Sequence, residues 1–377
     1  MQGKHLHIIS FNIPFPANYG GVIDVYYKIK ALHNAGIKVH LHCFEYGRNF
    51  PDELKEICFD INYYKRKTGL FSSFSIKPYI VKSRISEDLI KNICNDNYPV
   101  LFEGLHCCYY IDDKRIANKI KIYRESNIEH HYYFHLFKAE KNFLKKIYFI
   151  TESIKLKLFQ NKLKNADLML VVSEKDTLYL QKKFPDNKVV YLPSFHPNNE
   201  IEISKGIGKY ILYHGNLSVA ENEEAAIYLI ENVFNRLELP FIIAGLNPGN
   251  KLIKLVQKYK HINLIANPEE SIMNKLISEA QVNILLTFQE TGLKLKLLNT
   301  LYKGRYCLVN SKMLAGTNLN ELCIIADNKD DIIENLIKVF NNEFDYKETK
   351  LRKEILDKNF SNQSNLKNLL NLIFEEK

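Results

Sequence analysis

The chain has 377 residues, of which 46% are hydrophobic and 25% are charged, and its formal net charge is +9. This length exceeds what one hydrophobic core usually serves, so we expect a globular protein of two domains and exclude an intrinsically disordered one. No apolar run reaches the roughly 20 residues that span a bilayer, and no signal-peptide pattern is visible. These features predict a cytoplasmic protein.

The positive charge is distributed unevenly along the chain. Residues 1–200 contain 30 Lys or Arg and 21 Asp or Glu, whereas the remaining residues contain 22 of each. The basic half has no arginine-rich arm, zinc pattern or RNP-like aromatic motif, so we do not expect nucleic acid as a partner. An anionic membrane surface or a phosphate-bearing acceptor fits the charge at least as well. The seven cysteines lack CxxC spacing and are expected to be reduced.

Short apolar segments alternate with helical patterns in the first half. The first helical pattern is VYYKIKALHNAG, and strands are predicted in KHLHIISFN, KVHLHCFEY, CFDINYY, YPVLFEG, KIKIYRES and ADLMLVVS. This alternation is typical of a parallel sheet covered by helices. Residues 188–209, which are rich in Pro and Asn, predict an irregular connector.

The alternation then restarts. Strands are predicted in YILYHG, PFIIAG, INLIAN, VNILLT and RYCLVN, and residues 347–374 predict one or two amphipathic helices. The expected fold class is therefore α/β, with two Rossmann-like doubly wound domains. We assign residues 1–200 and 201–345 to these domains and residues 346–377 to a closing helical segment. Two such domains are expected to face a ligand cleft.

Two lysines follow the predicted strand VNILLT. A helix starting near Gly292 places Lys294 and Lys296 in its first turn, where the helix dipole attracts anions and disfavours cations. A lysine pair at this position indicates a strong anion, and a diphosphate fits. Lys296 shares a helix face with Asn299, whereas Lys294 points toward the apolar side and reaches the site only by snorkelling. An ordinary amphipathic helix with solvated lysines is the alternative.

This region resembles the retaining GT-B glycosyltransferases, in which a strand, a Gly-containing turn and a helix present two glutamates, seven residues apart, to a nucleotide-sugar. Aligned on Gly304, TGLKLKLLNTLYKG has Thr291 and Asn299 at the positions of those glutamates. Three further segments resemble the family in the same order along the chain: NYGGVIDVYYKIKALHNAG, its N-terminal glycine loop and first helix, RESNIEHHYY, its acceptor segment, and YHGNLSVAENEEAA, its donor-domain turn.

The resemblance implies transfer of a sugar from a nucleotide diphosphate-sugar to a glycan or lipid-linked acceptor, with retention and without a separate cofactor. Lys296 and Lys294 would stabilise the leaving diphosphate. Gly pairs let the backbone approach a phosphate closely, although a tight turn explains them equally well. The predicted donor-binding residues are Gly20, Gly21, Gly215, Asn216, Leu217, Asn222, Thr291, Gly292 and Asn299.

Polar residues follow two strands of the first half. The segments FEGLHCC and RESNIEHH supply the predicted acceptor-binding residues Glu103, Arg124, Asn127 and Glu129. His106 or His130 would bind sugar hydroxyls or act as a base, because imidazole titrates near neutrality, and a structural hydrogen bond is the alternative for each. No DxD, HExxH, Walker or nucleophile-elbow motif occurs, so no metal is expected.

Two other functions fit the same pattern. A GT-B nucleotide-sugar epimerase would share the donor site, and a non-catalytic GT-B-like subunit would explain the missing glutamates at Thr291 and Asn299.

Residues 65–84, KRKTGLFSSFSIKPYIVKSR, surround aromatic side chains with cations. We predict that this stretch contacts an anionic membrane at its inner face, with packing of its aromatics on the domain as the alternative.

Overall fold

The computed structural model describes residues 3–69, 75–288 and 294–375. The chain forms two compact units. The first contains Met1–Pro197 and Phe360–Lys377, and the second contains Asn198–Glu290 and Lys294–Asn359. None of the helices within the described ranges is long and apolar enough to cross a membrane.

The first unit is built on a seven-stranded parallel sheet of order β3-β2-β1-β4-β5-β6-β7. Its strands are His5–Ser10 (β1), Lys38–Glu45 (β2), Asp60–Lys65 (β3), Val100–Glu103 (β4), Lys121–Glu125 (β5), Leu168–Val171 (β6) and Lys188–Tyr191 (β7). The first six confirm the predicted strands. The assignment of residues 188–209 to an irregular connector is wrong for β7, because Val189 packs in the core and the Pro-rich part begins only at Pro193.

Helices cover both faces of this sheet. They are Gly20–Asn34 (α1), Glu53–Ile57 (α2), Tyr79–Lys82 (α3), Glu87–Ile93 (α4), Glu129–Ala139 (α5), Phe143–Phe159 (α6) and Glu174–Lys183 (α7). Short 3₁₀ segments span Leu105–Tyr110, Lys114–Ile116 and Gln160–Asn165. Apolar positions of α1 pack on one face, and those of α3, α4 and α6 pack on the other. The carboxyl ends of β1, β4 and β5 share one edge, as the parallel pairing requires.

The second unit has a six-stranded parallel sheet of order β10-β9-β8-β11-β12-β13. Its strands are Ile211–Asn216 (β8), Phe241–Leu246 (β9), Ile262–Ala266 (β10), Val282–Leu285 (β11), Tyr306–Val309 (β12) and Ile324–Ile325 (β13). The first five were predicted, whereas β13 is too short to give a sequence signal.

The helices of the second unit are Ala220–Leu229 (α8), which continues as a π-helical turn Ile230–Phe234, Asn250–Val256 (α9), Glu270–Glu279 (α10), Leu295–Lys303 (α11), Ser311–Leu314 (α12) and Lys329–Phe340 (α13), with a 3₁₀ turn at Asn320–Leu322.

The C-terminal segment forms two helices, Tyr346–Phe360 (α14) and Asn362–Phe374 (α15). Arg352 of α14 donates hydrogen bonds to the carbonyl oxygens of Leu301, Gly304 and Arg305, which anchors this helix to the second unit. Leu369 of α15 packs in the core of the first unit. Compactness therefore assigns α15 to the first unit and residues up to Asn359 to the second.

Candidate functional site

Lys296 is the second residue of α11 and lies in its first turn, as predicted. The helix begins at Leu295, and Lys294 is its N-cap residue without a side-chain hydrogen bond to the helix start. No acidic residue occupies the first turn. The predicted start at Gly292 lies outside the described residues, as does Thr291. An uncapped helix start flanked by two cations favours an anion.

The Lys296 ammonium group has few partners inside the protein. Its Nζ donates to Asn222 Oδ1 at 3.2 Å and lies 5.6 Å from the centroid of the Tyr213 ring. Within the described ranges, no carboxylate lies close enough to form an ion pair with it. Burial lowers the pKa of Lys296 to about 8, Glu221 opposes this decrease, and Lys294 adds to it. A bound anion would reverse the decrease.

Asn222 holds this lysine in place. Its Nδ2 donates to the carbonyl oxygen of Asn216 at 2.9 Å. The Tyr213 hydroxyl donates to the carbonyl oxygen of Asn222 at 2.8 Å. A Cβ atom at Gly215 would lie 3.3 Å from Asn222 Cγ, so the glycine allows this close approach. Helix α8 begins two residues before Asn222, with Val219 as its N-cap, so Asn222 lies in the first turn of the helix.

The turn after β8 lies later than predicted. Gly215 and Asn216 still belong to β8 and pair with Gly245 and Leu246 of β9, so Gly215 does not turn the chain. A Cβ at Gly245 would lie 1.9 Å from the Gly215 carbonyl oxygen, which is why the two backbones can approach here. The side chain of Leu217 is buried, and only its backbone can serve a ligand. The side chain of Asn222 thus connects the predicted donor residues Gly215 and Asn216 to Lys296.

Two residues near the lysines were missed by the sequence reasoning. Glu221 accepts hydrogen bonds from the Thr287 hydroxyl and from the Phe288 N–H, and its charge raises the pKa of Lys294 and Lys296 against the effect of burial. His214 Nε2 lies 3.0 Å from Thr300 Oγ1. Burial, and then Lys296, lower the pKa of His214 to about 3. In the sequence, Glu221 resembles an ordinary acidic residue in the first turn of a helix. Only its contacts in the structure identify it as part of the site.

Asn299 follows Lys296 by three residues and lies on the same side of α11. Its Oδ1 is buried and has no hydrogen-bond partner among the residues that the structure describes. Buried polar atoms are normally satisfied, so an unpartnered acceptor atom is a place where a ligand hydroxyl would be stabilised. The contact of Asn299 with a donor stays a prediction.

Four charged side chains form a closed network in the first unit. Lys28 Nζ donates to Asp24 Oδ2 at 3.0 Å and to Glu103 Oε1 at 2.6 Å. Arg124 donates to both oxygens of Asp24, at 2.9 and 3.0 Å, and to the carbonyl oxygens of residues 192 and 193. All four are at least 97% buried. Burial raises the pKa of Asp24, but Arg124 and then Lys28 outweigh it and lower that pKa.

This network changes the interpretation of two predicted acceptor residues. Glu103 and Arg124 lie at the predicted strand ends, but their charged groups are occupied by other buried charges of opposite sign. Two cations and two anions balance, and all three guanidinium nitrogens of Arg124 have acceptors. The contacts favour a structural role, in which the network fixes α1 and the segment after β7 to the sheet.

The N-terminal glycines adjoin this region. Gly20 is the first residue of α1, and a Cβ at Gly21 would lie 2.6 Å from the Phe11 ring. The Phe11 ring therefore packs directly on Gly21, and a larger residue at this position would displace the ring. Whether the pair also approaches a donor phosphate stays a prediction.

His106 and Glu129 come together at the end of β4. His106 Nδ1 lies 3.9 Å from Glu129 Oε1 and has no hydrogen-bond partner among the described residues. Burial, then Arg84 and Arg66, keep the pKa of His106 well below its usual value, so the ring is neutral. Burial raises the pKa of Glu129 to about 7 against the effect of Arg84. His106 Nδ1 is thus an unpartnered buried nitrogen on a partly exposed ring, as in an acceptor site.

His130 and Asn127 contact other groups. The Tyr179 hydroxyl is 3.4 Å from His130 Nε2, and burial lowers the pKa of His130 to about 3. The backbone N–H of Asn127 donates to Glu125, a buried carboxyl that the sequence reasoning did not single out. Burial raises the pKa of Glu125 well above its usual value. Because this pKa is so low, His130 is a weak proton acceptor at neutral pH and is poorly suited to act as a base.

The basic stretch at 65–84 is not one continuous surface. Arg84 is 5% exposed, and it donates to the carbonyl oxygens of Phe11 and Ile80 at 2.8 and 2.6 Å. Arg66 stacks on Tyr46 and Tyr79. Leu70, Phe71 and Phe74 lie outside the described residues. The membrane prediction is therefore wrong for Arg84, whose side chain is needed inside the fold.

A search of the described residues finds no group of three or more His, Cys, Asp or Glu side chains placed to hold a metal ion. The expectation of metal independence rests on the motifs and stays a prediction.

Comparisons with known proteins address the fold. No protein-family model matches the chain. A Klebsiella pneumoniae protein, described as an uncharacterized 44.6 kDa protein in the cps region, is 26% identical in an alignment of 348 residues that covers 85% of this chain and 87% of that protein.

Solved structures match over nearly the whole chain. A mutant of S. aureus TarM in complex with fondaparinux, alpha-GlcNAc-glycerol and UDP has a TM-score of 0.67 at 10% identity, over 99% of this chain and 100% of that chain. The trehalose-6-phosphate synthase OtsA has a TM-score of 0.63 at 10% identity, over 99% and 100%. Anabaena HepE in complex with UDP and glucose has 0.65 at 9%, over 97% and 98%.

The chain has the GT-B fold. This confirms the two Rossmann-like units that the sequence predicted. Identities of this size show the fold alone, so the activity of this GT-B protein has to be argued from its own residues.

Proposed function

We propose that this protein is a glycosyltransferase that moves a sugar from a nucleotide diphosphate-sugar to a glycan or lipid-linked acceptor. The observation that carries the proposal is Lys296. Its partly buried ammonium group lies at an uncapped helix start, with an amide oxygen as its hydrogen-bond partner and no ion-paired carboxylate in the described part of the chain. Such an arrangement is unfavourable without a ligand and favourable with an anionic one.

The chemistry that this site supports is electrostatic. Negative charge develops on the leaving diphosphate when the bond to the sugar breaks, and a positioned ammonium group stabilises that charge. Asn222 fixes Lys296 before the donor arrives, because its side chain is itself held by the backbone of Asn216. Lys294, whose pKa is lowered by burial, would add a second positive charge. The diphosphate can accept the acceptor proton, so the proposal needs no separate base.

The relatives suggest which substrates to try first. Two of the solved structures were determined with UDP, one of them also with glucose, and the Klebsiella relative is encoded in a cps region, which fits polysaccharide biosynthesis. We therefore propose a UDP-sugar as donor and a growing polysaccharide or its lipid-linked precursor as acceptor. Retention, metal independence and a cytoplasmic location at an anionic membrane surface are further parts of this proposal.

Thermal unfolding with a panel of nucleotide-sugars tests donor binding. Because a ligand that binds only the folded state raises its stability, a cognate UDP-, GDP-, dTDP- or CMP-sugar should raise the unfolding temperature of the wild type. The same donor should have little effect on Lys296→Ala, whereas Lys275→Ala, an exposed lysine of the same unit, should respond like wild type. No response to any donor would contradict the proposal.

Turnover separates transfer from the two alternatives. Labelled sugar should pass from the identified donor into material from an acceptor extract. An isomerised sugar formed from donor alone, detected by NMR, would indicate an epimerase instead. Donor binding with neither transfer nor isomerisation would indicate a non-catalytic binding subunit. Asn299 is the reason for testing this alternative, because it stands at the position of a family glutamate.

A further inference from the structure

Arg84 is a buried cation, and none of the described carboxylates forms an ion pair with it. Its guanidinium group donates from Nε to the Phe11 carbonyl oxygen and from Nη1 to the Ile80 carbonyl oxygen. No hydrogen bond from its Nη2 occurs within the described residues, and no carboxylate there pairs with it. Burial, and then Arg66, lower the pKa of Arg84 to about 10, so the group stays charged at neutral pH.

Arg124 shows what a structural arginine looks like in the same unit. It is buried to the same degree, but Asp24 neutralises it through two hydrogen bonds. Taking a guanidinium group out of water without an anion is unfavourable, which is why buried charges are normally paired. Two carbonyl dipoles compensate Arg84 only in part. The difference between the two arginines indicates that the counter-charge of Arg84 comes from outside the chain.

Glu129 does not supply that counter-charge fully. Arg84 lowers the pKa of Glu129, yet burial dominates and leaves that pKa at about 7, so a large share of the carboxyl groups is protonated at neutral pH. Arg66, anchored by a 3.1 Å hydrogen bond from Nε to Ser83 Oγ, brings a second guanidinium group to the same region. The local charge is therefore positive.

The cluster reaches the protein surface. Phe11, Arg66 and His106 are each partly exposed, and the rings of Phe11 and His106 lie 5.3 Å apart. His106 Nδ1 is also buried and has no hydrogen-bond partner among the described residues, so the cluster contains a second polar atom that a ligand could satisfy. Phe11 and His106 follow β1 and β4, at the sheet edge where parallel α/β folds bind ligands.

We propose that Arg84, together with Arg66 and His106, binds an oxyanion of the acceptor, so that the acceptor of this enzyme is an anionic one. Guanidinium groups match the geometry of phosphate and carboxylate oxygens, so the anion is a phosphate of a lipid-linked acceptor or a carboxylate of an acidic sugar. Arg84 and Arg66 would act as specificity residues on the acceptor side. The assignment of the anion to the acceptor rests on the proposed glycosyltransferase function. The anion-binding site itself does not depend on that function.

The test measures anion binding without any sugar transfer. In a Lys296→Ala background, which removes the donor-side lysine, we would titrate inorganic phosphate, pyrophosphate and glucuronate by NMR. Adding Arg84→Gln or Arg66→Gln should weaken binding of one of these anions by about 10- to 100-fold, the range expected when a charge-assisted hydrogen bond is lost. Arg84→Lys, which keeps the charge, should lose less. Lys91→Ala, an exposed lysine of α4, should have no effect.

The outcomes are distinct. Selective loss of phosphate or pyrophosphate binding supports a phosphorylated acceptor, and selective loss of glucuronate binding supports an acidic sugar. Equal affinities in the arginine variants and their parent overturn the proposal. Because Arg84→Gln also removes hydrogen bonds inside the fold, the partly exposed Arg66→Gln provides an independent reading if the first variant unfolds. Donor binding is measured separately, so a protein that binds these anions and no nucleotide-sugar refutes only the proposed donor function.

Discussion

Two lysines, Lys28 in the first unit and Lys296 in the second, show that a desolvated ammonium group can have different roles. Lys28 is fully buried and lies within 3.0 Å of two carboxylates. Lys296 is partly buried, and an amide oxygen at 3.2 Å is the hydrogen-bond partner it has among the described residues. Both positions desolvate a charge, but within the described part of the chain carboxylates pair with Lys28 and none pairs with Lys296.

The same contrast separates Arg124 from Arg84. Arg124 completes a balanced network with Asp24, whereas Arg84 has carbonyl oxygens as partners. A balanced buried network needs no ligand and holds the fold together. An unbalanced buried cation reduces stability unless a ligand neutralises it, so natural proteins keep it where a ligand binds. The comparison therefore distinguishes structural charges from functional ones without reference to any relative.

Breaking the balanced network should have the largest effect. Asp24→Asn leaves Arg124 and Lys28 with one buried carboxylate between them, and we expect the free energy of unfolding of the first unit to fall by about 3–5 kcal/mol, as when one partner of a buried ion pair is removed. Urea unfolding measures this. Lys296→Met is the matched variant in the second unit, and its unfolding free energy should stay unchanged or rise, because it removes an unpaired charge. Similar losses in both variants would contradict the comparison.

Glu129 should make the stability of the first unit depend on pH. Its folded pKa of about 7 exceeds the ordinary value of 4.5, so the folded state holds the proton more tightly. The resulting stabilisation is present in full below pH 4.5, decreases as the pH rises toward 7, and is lost above it. Linkage limits it to about 3 kcal/mol.

Glu129→Gln tests this assignment, because glutamine cannot ionise. The variant should unfold with a flatter pH dependence between pH 5 and 8, whereas Glu53→Gln, which changes an exposed acid of the same unit, should retain the wild-type profile. A wild-type profile in Glu129→Gln would show that another group titrates in this range.

Lys294→Ala should have a smaller effect on donor affinity than Lys296→Ala. Lys294 is the N-cap residue of α11, and its side chain has no hydrogen bond to the helix start. Calorimetry with UDP would rank the two variants. A larger loss for Lys294 would place the diphosphate before the helix start and would remove Lys296 from its assigned role.

Chelation should have no effect at all. Since cations of the protein itself are assigned to the diphosphate, transfer should persist in excess EDTA. Activity that EDTA abolishes and Mn²⁺ restores would mean that a metal ion neutralises the leaving group.

The sequence predicted those features that depend on local pattern. The alternation of apolar runs and helices predicted eleven of the strands, and the lysines at a helix start marked the second-unit site, because dipole and charge are properties of one short segment. Strand β7 was missed because prolines beyond it dominated the interpretation. The pairing of Asp24 with Arg124 joins residues 100 positions apart, and no local pattern reports such a contact.

The same limit explains Arg84 and Glu221. In the sequence, Arg84 belongs to a basic stretch and Glu221 to an acidic helix start, and both resemble solvated surface charges. Only the tertiary structure shows that Arg84 is buried between Phe11 and Ile80, and that Glu221 accepts hydrogen bonds from the segment after β11. The role of such a charged residue can be inferred only once the structure shows which described residues contact it, or that none of them does.

The central claim is that the unpaired ammonium group of Lys296 binds the donor diphosphate. Calorimetric titration of wild type and Lys296→Ala with UDP and UMP tests it directly, with Lys275→Ala as the control. We predict that Lys296→Ala weakens UDP binding by about 1.5–3 kcal/mol, the range for a charge-assisted hydrogen bond, and weakens UMP binding less, because UMP lacks the second phosphate. Equal affinities of wild type and Lys296→Ala for UDP would contradict the claim.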